Sequence, residues 1–246
     1  MAILNSSIRN TVKKLAKTVG IDISYLRMEK AYKDQKKLTE NKINPVVFDC
    51  GASVGQTTAK YLNLHPASRI YAFEPFPESL AAFTARIKNE RVSTHQLAVS
   101  DTDGDKTLYI NDLRYANSLL PLTEEMQKGK NSSFHFKADG SKTVRTVRID
   151  TFCRERKIEK IDILKFDIQG GELAALKGAT KLLSQKKIGL IYTEIWFTRA
   201  YEGQPLYDEL CTFLAQFGYI PYSLYNVHED KAGNRTDGDA IFIPKV

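Results

Sequence analysis

Hydrophobic positions in this chain change period repeatedly, and the changes mark its elements. Ile3, Leu4, Ile8, Val12, Leu15 and Val19 recur at helical spacing with Arg9, Lys13, Lys14 and Lys17 between them. That pattern predicts a basic amphipathic helix over 3–19, ended near Gly20. A Lys-rich segment over 24–41 is expected to be helical and mostly solvated. The period then shortens. Val46-Val47-Phe48-Asp49-Cys50 reads as a strand over 45–50, followed by a helix over 55–64 that His65-Pro66 closes. A second strand covers 69–74. Leu80, Ala81, Phe83 and Ile87 then repeat at helical spacing, and a third strand falls near 92–97. Asp103-Gly104 is a hairpin-turn signal, with 106–110 alternating like the returning strand.

Residues 111–143 break the rhythm. Asn117-Ser118, Gly129, Asn131-Ser132-Ser133 and Asp139-Gly140 are turn signals around a short helical stretch at 121–127. A loop of ~30 residues inside a domain usually carries function or is disordered, and this one is expected to face the substrate. Alternation resumes with a strand at 144–149, a helix at 151–157 and a nearly all-apolar strand at 161–167. A helix through Leu173, Leu176 and Leu182 follows, then a second buried strand at 188–195 and a helix between Pro205 and Gly218. Strands at 219–227 and 239–243 flank a turn-rich 230–237 and form a terminal antiparallel hairpin. The interleaving predicts an α/β fold with right-handed crossovers: a doubly wound, Rossmann-like sheet of seven strands. The main domain is expected over 43–246, with an N-terminal helical extension over 1–42.

A chain of 246 residues suits one α/β domain with an appendage. No run reaches the ~18 apolar residues of a membrane span, and no signal-like block opens the sequence. Cys50, Cys153 and Cys211 are scattered without a C-x-x-C pair, which suits a reducing cytoplasm better than disulfides or zinc. The net charge of +7 is concentrated at the start: residues 1–42 hold ten Lys or Arg against four Asp or Glu, leaving the rest about neutral. No basic stripe interleaved with aromatics runs along the main domain, so no nucleic-acid partner is expected. The N-terminal basic helix either packs on the domain or a second copy, or adsorbs peripherally to an anionic inner-membrane surface.

Candidate chemistry concentrates where strands end. Asp49-Cys50-Gly51-Ala52-Ser53-Val54-Gly55 joins a strand to a helix, a cradle for a polar ligand at the edge of a parallel sheet. Gly51 and Gly55 are expected to let the backbone approach that ligand where a Cβ would clash. Glu74 closes the second strand about 20 positions later, the usual place for a ribose-binding acid. A dinucleotide fingerprint would set three glycines close together, whereas a carboxylate at Asp49 would repel a pyrophosphate and accept bonds from an ammonium. The spacing therefore favours S-adenosylmethionine over NAD. The candidate cofactor residues are Asp49, Gly51, Ala52, Ser53, Gly55, Glu74, Pro75, Phe76, Ala98 and Asp167.

Asp167 and Glu194 fall at the ends of two strands expected side by side, and Glu172 opens the helix after Asp167. Methyl transfer is an in-line displacement, so alignment dominates, while a hydroxyl acceptor must lose a proton to a nearby base. Asp167 is the first candidate for base or acceptor-orienting group, Glu194 the second, Glu172 a third. Each has a plainer reading: Glu172 as a partner of the helix dipole, Asp167 as a cap for a loop amide. His95, at the third strand's end, could also act as base. Three carboxylates near one cleft could hold Mg²⁺, although no compact ligand spacing specifies a metal.

Together these residues resemble the FkbM family of S-adenosylmethionine-dependent methyltransferases. The stretch from Val46 to Thr58 is similar to its cofactor motif, and Tyr71-Ala72-Phe73-Glu74-Pro75 to its second. Val147-Arg148-Ile149-Asp150-Thr151-Phe152 and Lys165-Phe166-Asp167-Ile168-Gln169-Gly170-Gly171-Glu172 resemble its signature block, with Gln169 where Glu is commoner. Thr193-Glu194-Ile195-Trp196-Phe197 and Tyr201-Glu202-Gly203-Gln204-Pro205-Leu206 resemble its C-terminal segment. The likeness covers about 45–243. It implies a class I methyltransferase fold and O-methylation of a small-molecule or glycan hydroxyl, as in polysaccharide or secondary-metabolite biosynthesis. Three other readings compete: a non-catalytic S-adenosylmethionine-binding module, an NAD-dependent oxidoreductase (disfavoured by the missing third glycine), and an RNA methylase.

Overall fold

A computed structural model describes residues 23–128 and 137–245; the helix expected over 3–19 lies outside them. Helix α1 (Ile23–Leu38) precedes β1 (Val46–Cys50), α2 (Gln56–Leu64), β2 (Arg69–Phe73), α3 (Pro77–Arg86) and β3 (Val92–His95). Then come β4 (Ala98–Val99), β5 (Gly104–Asn111), a 3₁₀ turn (Arg114–Ala116), α4 (Glu124–Gln127), β6 (Ala138–Val147) and α5 (Ile149–Glu155). The chain continues through β7 (Ile161–Phe166), α6 (Glu172–Lys177), α7 (Thr180–Ser184), β8 (Ile188–Trp196), α8 (Tyr207–Ala215), β9 (Tyr219–Tyr225) and β10 (Asp237–Pro244).

Seven strands pair in the order β3-β2-β1-β7-β8-β10-β9. β10 runs antiparallel between β8 and β9, completing the expected terminal hairpin, while β3, β2, β1, β7 and β8 are mutually parallel. All six positions of β7 are buried, because helices cover both sheet faces. On one face Phe48, Phe73, Phe152, Leu164 and Leu176 pack together. On the other, Val47, Tyr61, Ile163 and Tyr192 pack with Ala31 of α1.

That second face corrects the expectation that 24–41 would be solvated. Ala31, Gln35 and Thr39 are buried, four residues apart and so on one stripe of the helix. Tyr61 donates its hydroxyl to Gln35 Oε1 at 2.9 Å, and Tyr225 donates to Asp34 Oδ2 at 2.7 Å. Lys side chains mark the solvent face of α1, but its small and amide residues mark a packed one. The boundary expected at residue 42 therefore runs through a packed unit.

The expected hairpin at Asp103-Gly104 is a second correction. β5 does not return on the strand before it. It pairs antiparallel with β6, which also pairs parallel with β4, giving a separate sheet β4-β6-β5. With only two residues, β4 offers little ladder, whereas β6 offers ten. Asp103 instead works as a cap: its carboxylate accepts from Arg148 N at 2.7 Å and Thr151 Oγ1 at 2.8 Å.

Candidate active site

The chain leaves β1 toward β2 on one side and reaches β7 on the other. This switch point is where open α/β sheets hold ligands. A cavity of about 310 Å³ opens there, within the ~300–1,000 Å³ of small-molecule sites. Gly51 and Ser53 line it from the turn after β1, Glu74 and Pro75 from the end of β2, and Asp167, Ile168, Gln169 and Gly171 from the loop after β7. Glu194 contributes from β8. Leu97, Ala98, Val99 and Leu108 supply an apolar wall, and the segment expected to face the substrate supplies Tyr115, Asn117, Ser118 and Leu119.

Glu74 is held by backbone. Its Oε2 accepts from Ser53 N at 2.8 Å and its Oε1 from Phe76 N at 2.9 Å. Burial raises its pKa, and those two amides pull against the rise. Each oxygen keeps a second lone pair. Ser53 makes this contact from a left-handed backbone, φ 46°, a strained state for a residue with a Cβ.

At the other side Gln169 gathers the acids. Its Nε2 donates to Asp167 Oδ1 and to Glu194 Oε2, both at 3.0 Å. Its Oε1 accepts from the Tyr201 hydroxyl at 2.9 Å, and its carbonyl accepts from Ser118 Oγ at 2.6 Å. These two bonds help hold Gln169 at φ 53°. The Asp167 side chain is half exposed. Glu194 is different: burial, then the charges of Asp167 and Glu172, push its carboxyl well above the usual range. The cavity thus offers an accessible acid at Asp167 and a more enclosed one at Glu194.

Several candidates stand outside the lining. Asp49 is fully buried, 2.9 Å from Lys165 Nζ, and accepts from Thr58 Oγ1 at 2.7 Å. With Lys165 offsetting its charge, its expected repulsion of a pyrophosphate loses its basis. The exclusion is better founded on the lining, where Glu74, Asp167 and Glu194 are joined by no Lys, Arg or His among the described residues. Ala52 packs with Ala72 and Phe83, and Phe76 with Leu108 and Val144. The glycines also serve packing, Gly51 while lining the cavity and Gly55 away from it. A Cβ on Gly51 would meet the Asp167 carbonyl at 1.8 Å, and one on Gly55 would meet Ile87 and Phe83 at 2.8 and 3.0 Å.

Glu172 is buried behind the Asp167 loop, accepting from Ile168 N at 3.1 Å, and burial lifts its pKa to about 7. His95 packs on Phe152 and Phe73, with centroids 4.9 and 5.4 Å apart, and burial and Arg156 lower its pKa to about 4. It belongs to the aromatic core. No group of three His, Cys, Asp or Glu among the described residues is placed to hold a metal.

Sequence reasoning missed Lys165, Ser118 and Tyr201 as members of the site. Lys165 left a signal, a cation inside a strand buried on both faces. Ser118 fell in the segment expected to face the substrate and Tyr201 in the C-terminal stretch, but their bonds to Gln169 left no signal, since they lie 51 and 32 positions from it.

Comparison with known proteins adds an independent line. A sequence model described as the methyltransferase FkbM domain matches residues 49–221. The 2-O-methyltransferase NoeI of Sinorhizobium fredii is 28% identical over 167 residues, 66% of this chain and 68% of that protein. The 31-O-demethyl-FK506 methyltransferase FkbM of Streptomyces tacrolimicus is 29% identical over 152 residues, covering 54% of this chain and 58% of its own length. The hexuronic acid methyltransferase AglP of Haloferax volcanii is 24% identical over 160 residues, covering 64% and 59%. The chain thus spans about two thirds of NoeI and under two thirds of the other two.

Proposed function

Because the chain belongs to the methyltransferase FkbM family, and so is an S-adenosylmethionine-dependent methyltransferase, we propose that its cavity delivers a methyl group to a hydroxyl of a sugar or secondary metabolite. The observation that carries this reading is Glu74, fixed by two backbone amides at the end of β2 and facing a cavity lined by three carboxylates and, among the described residues, no cation. Such a cavity suits a cofactor with a ribose, an ammonium and a sulfonium, and repels a pyrophosphate. Bound S-adenosylmethionine supplies an electrophilic methyl group. Glu74 would hold the ribose hydroxyls, Gly51 and Ser53 would flank the cofactor, and the wall at Leu97, Ala98 and Val99 suits a purine.

Asp167 is the base in this reading. It is the accessible carboxylate beside the cavity, and Gln169 fixes its orientation. Glu194, whose carboxyl is pushed above the usual range by burial and its acidic neighbours, orients the acceptor by hydrogen bonding. Glu172 stiffens the loop that carries Asp167. The names of the relatives, a 2-O-methyltransferase and a hexuronic acid methyltransferase among them, support a sugar hydroxyl as the acceptor class. Calorimetric titration with S-adenosylhomocysteine tests the cofactor half. Wild type should bind, and Glu74→Ala should bind at least about tenfold more weakly, the loss of a charge-assisted contact; equal affinities would defeat the assignment.

The ten basic residues of 1–42 support peripheral contact with an anionic membrane, where many glycans are assembled, or self-association. No described helix is long and apolar enough to cross a bilayer. Co-sedimentation with anionic vesicles should fall when residues 1–22 are removed; unchanged sedimentation would sink the membrane contact.

A further inference from the structure

Lys165 is a buried cation that no step above uses. Its Nζ donates to the Gly51 carbonyl at 2.9 Å and, at greater length, to the Cys50 carbonyl at 3.4 Å. Asp49 Oδ1 also lies 2.9 Å away, an ion pair on the same ammonium. The ammonium thus ties the backbone of the glycine turn to the Asp49 carboxylate, which supplies the opposite charge. Burial disfavours the ammonium, yet Asp49 and Asp167 outweigh it and leave the Lys165 pKa raised. A buried ion pair is a poor source of net stability, because desolvation of both ions offsets their attraction. A positional role explains the pair better.

What it positions is one peptide. Gly51 sits at φ +77°, and with no Cβ little resists rotation of the peptide that follows it. That peptide is held at both ends: its carbonyl by Lys165 at 2.9 Å, and its N–H, on Ala52, by the Phe73 carbonyl at 3.0 Å. The next residue is Ser53, whose N–H fixes Glu74. We propose that Lys165 is a positioning residue for the cofactor, locking the Gly51–Ala52 peptide so that the turn and Glu74 are already set when the ligand arrives. The proposal rests on the cofactor reading above.

Lys165→Met alone would leave Asp49 charged and buried, which can unfold the chain by itself. The informative variant is therefore Asp49→Asn with Lys165→Met, which removes both charges. We expect it to fold, with a melting temperature close to wild type, yet to bind S-adenosylhomocysteine at least about tenfold more weakly, as expected when a cradle loses its preset geometry. Binding within about twofold of wild type would overturn the role of Lys165 and leave the cofactor reading intact. A wild-type chain that bound neither S-adenosylhomocysteine nor S-adenosylmethionine would sink that reading, and this role with it. If the double variant does not fold, amide exchange in the free wild type decides. A locked peptide requires the Ala52 N–H to exchange as slowly as the amides of β1, and exchange about a hundredfold faster would overturn the proposal.

Discussion

At the scale of single residues, the site separates its acids by environment. Asp167 is half exposed, the Glu194 carboxyl is pushed up by burial and its acidic neighbours, and Glu172 is buried away from the cavity. Asp167→Asn is expected to lower kcat by about 10²–10⁴, the usual worth of a general base, while S-adenosylhomocysteine affinity stays within a few fold. Glu194→Gln keeps the shape and a hydrogen-bonding side chain at that position and should cost far less. Both are read in a methyl-transfer assay on a sugar acceptor. Glu172 makes a prediction about stability. Its carboxyl ionises near 4.5 ordinarily and near about 7 in the folded chain, so the folded state holds the extra proton. Its contribution is complete below the lower value and is lost as pH rises through the window. Glu172→Gln should therefore melt with wild type at pH 4 and be more stable by about 1–3 kcal/mol at pH 8. Thermal melts at the two pH values check this, and a constant difference would be evidence against it.

At the scale of elements, two glycines in one turn do different work. Gly55 meets α3 through Phe83 and Ile87, whereas Gly51 meets the Asp167 backbone. Gly55→Ala should destabilise the fold by about 1–3 kcal/mol, the cost of overpacking, with cofactor affinity retained in the folded fraction. Gly51→Ala pushes a Cβ against a main-chain carbonyl that cannot rotate away, so it should lose affinity as well. Denaturant melts paired with calorimetry separate the two outcomes. The sequence showed both residues as a motif but could not say what stood against them, because each neighbour comes from a distant element. The segment between β5 and β6 teaches the same lesson. Its broken rhythm marked it as an unusual loop, and its turn residues fitted that reading. That Ser118 would anchor the Gln169 carbonyl depends on how the small sheet β4-β6-β5 seats the loop over the cavity.

For the whole molecule, α1 is a wall of the domain. Tyr32 packs on Tyr61 and Tyr192 at 5.7 and 5.9 Å, so a chain beginning at residue 40 would expose one face of the sheet. It should lose more than ~5 kcal/mol, enough to unfold a domain of ordinary stability; circular dichroism checks this. The sequence by itself determined the alternation of strands and helices, the terminal hairpin, the family and the strand-end acids Glu74, Asp167 and Glu194. These follow from local period and from position along a strand, which neighbours in sequence dictate. Only the tertiary structure decided that Asp49 turns away to Lys165, that His95 belongs to the core, that β5 joins a second sheet, and that Gln169 bridges Asp167 and Glu194. Each of those depends on which face of a strand or loop meets a segment tens of residues away, and no local pattern in the chain records that choice.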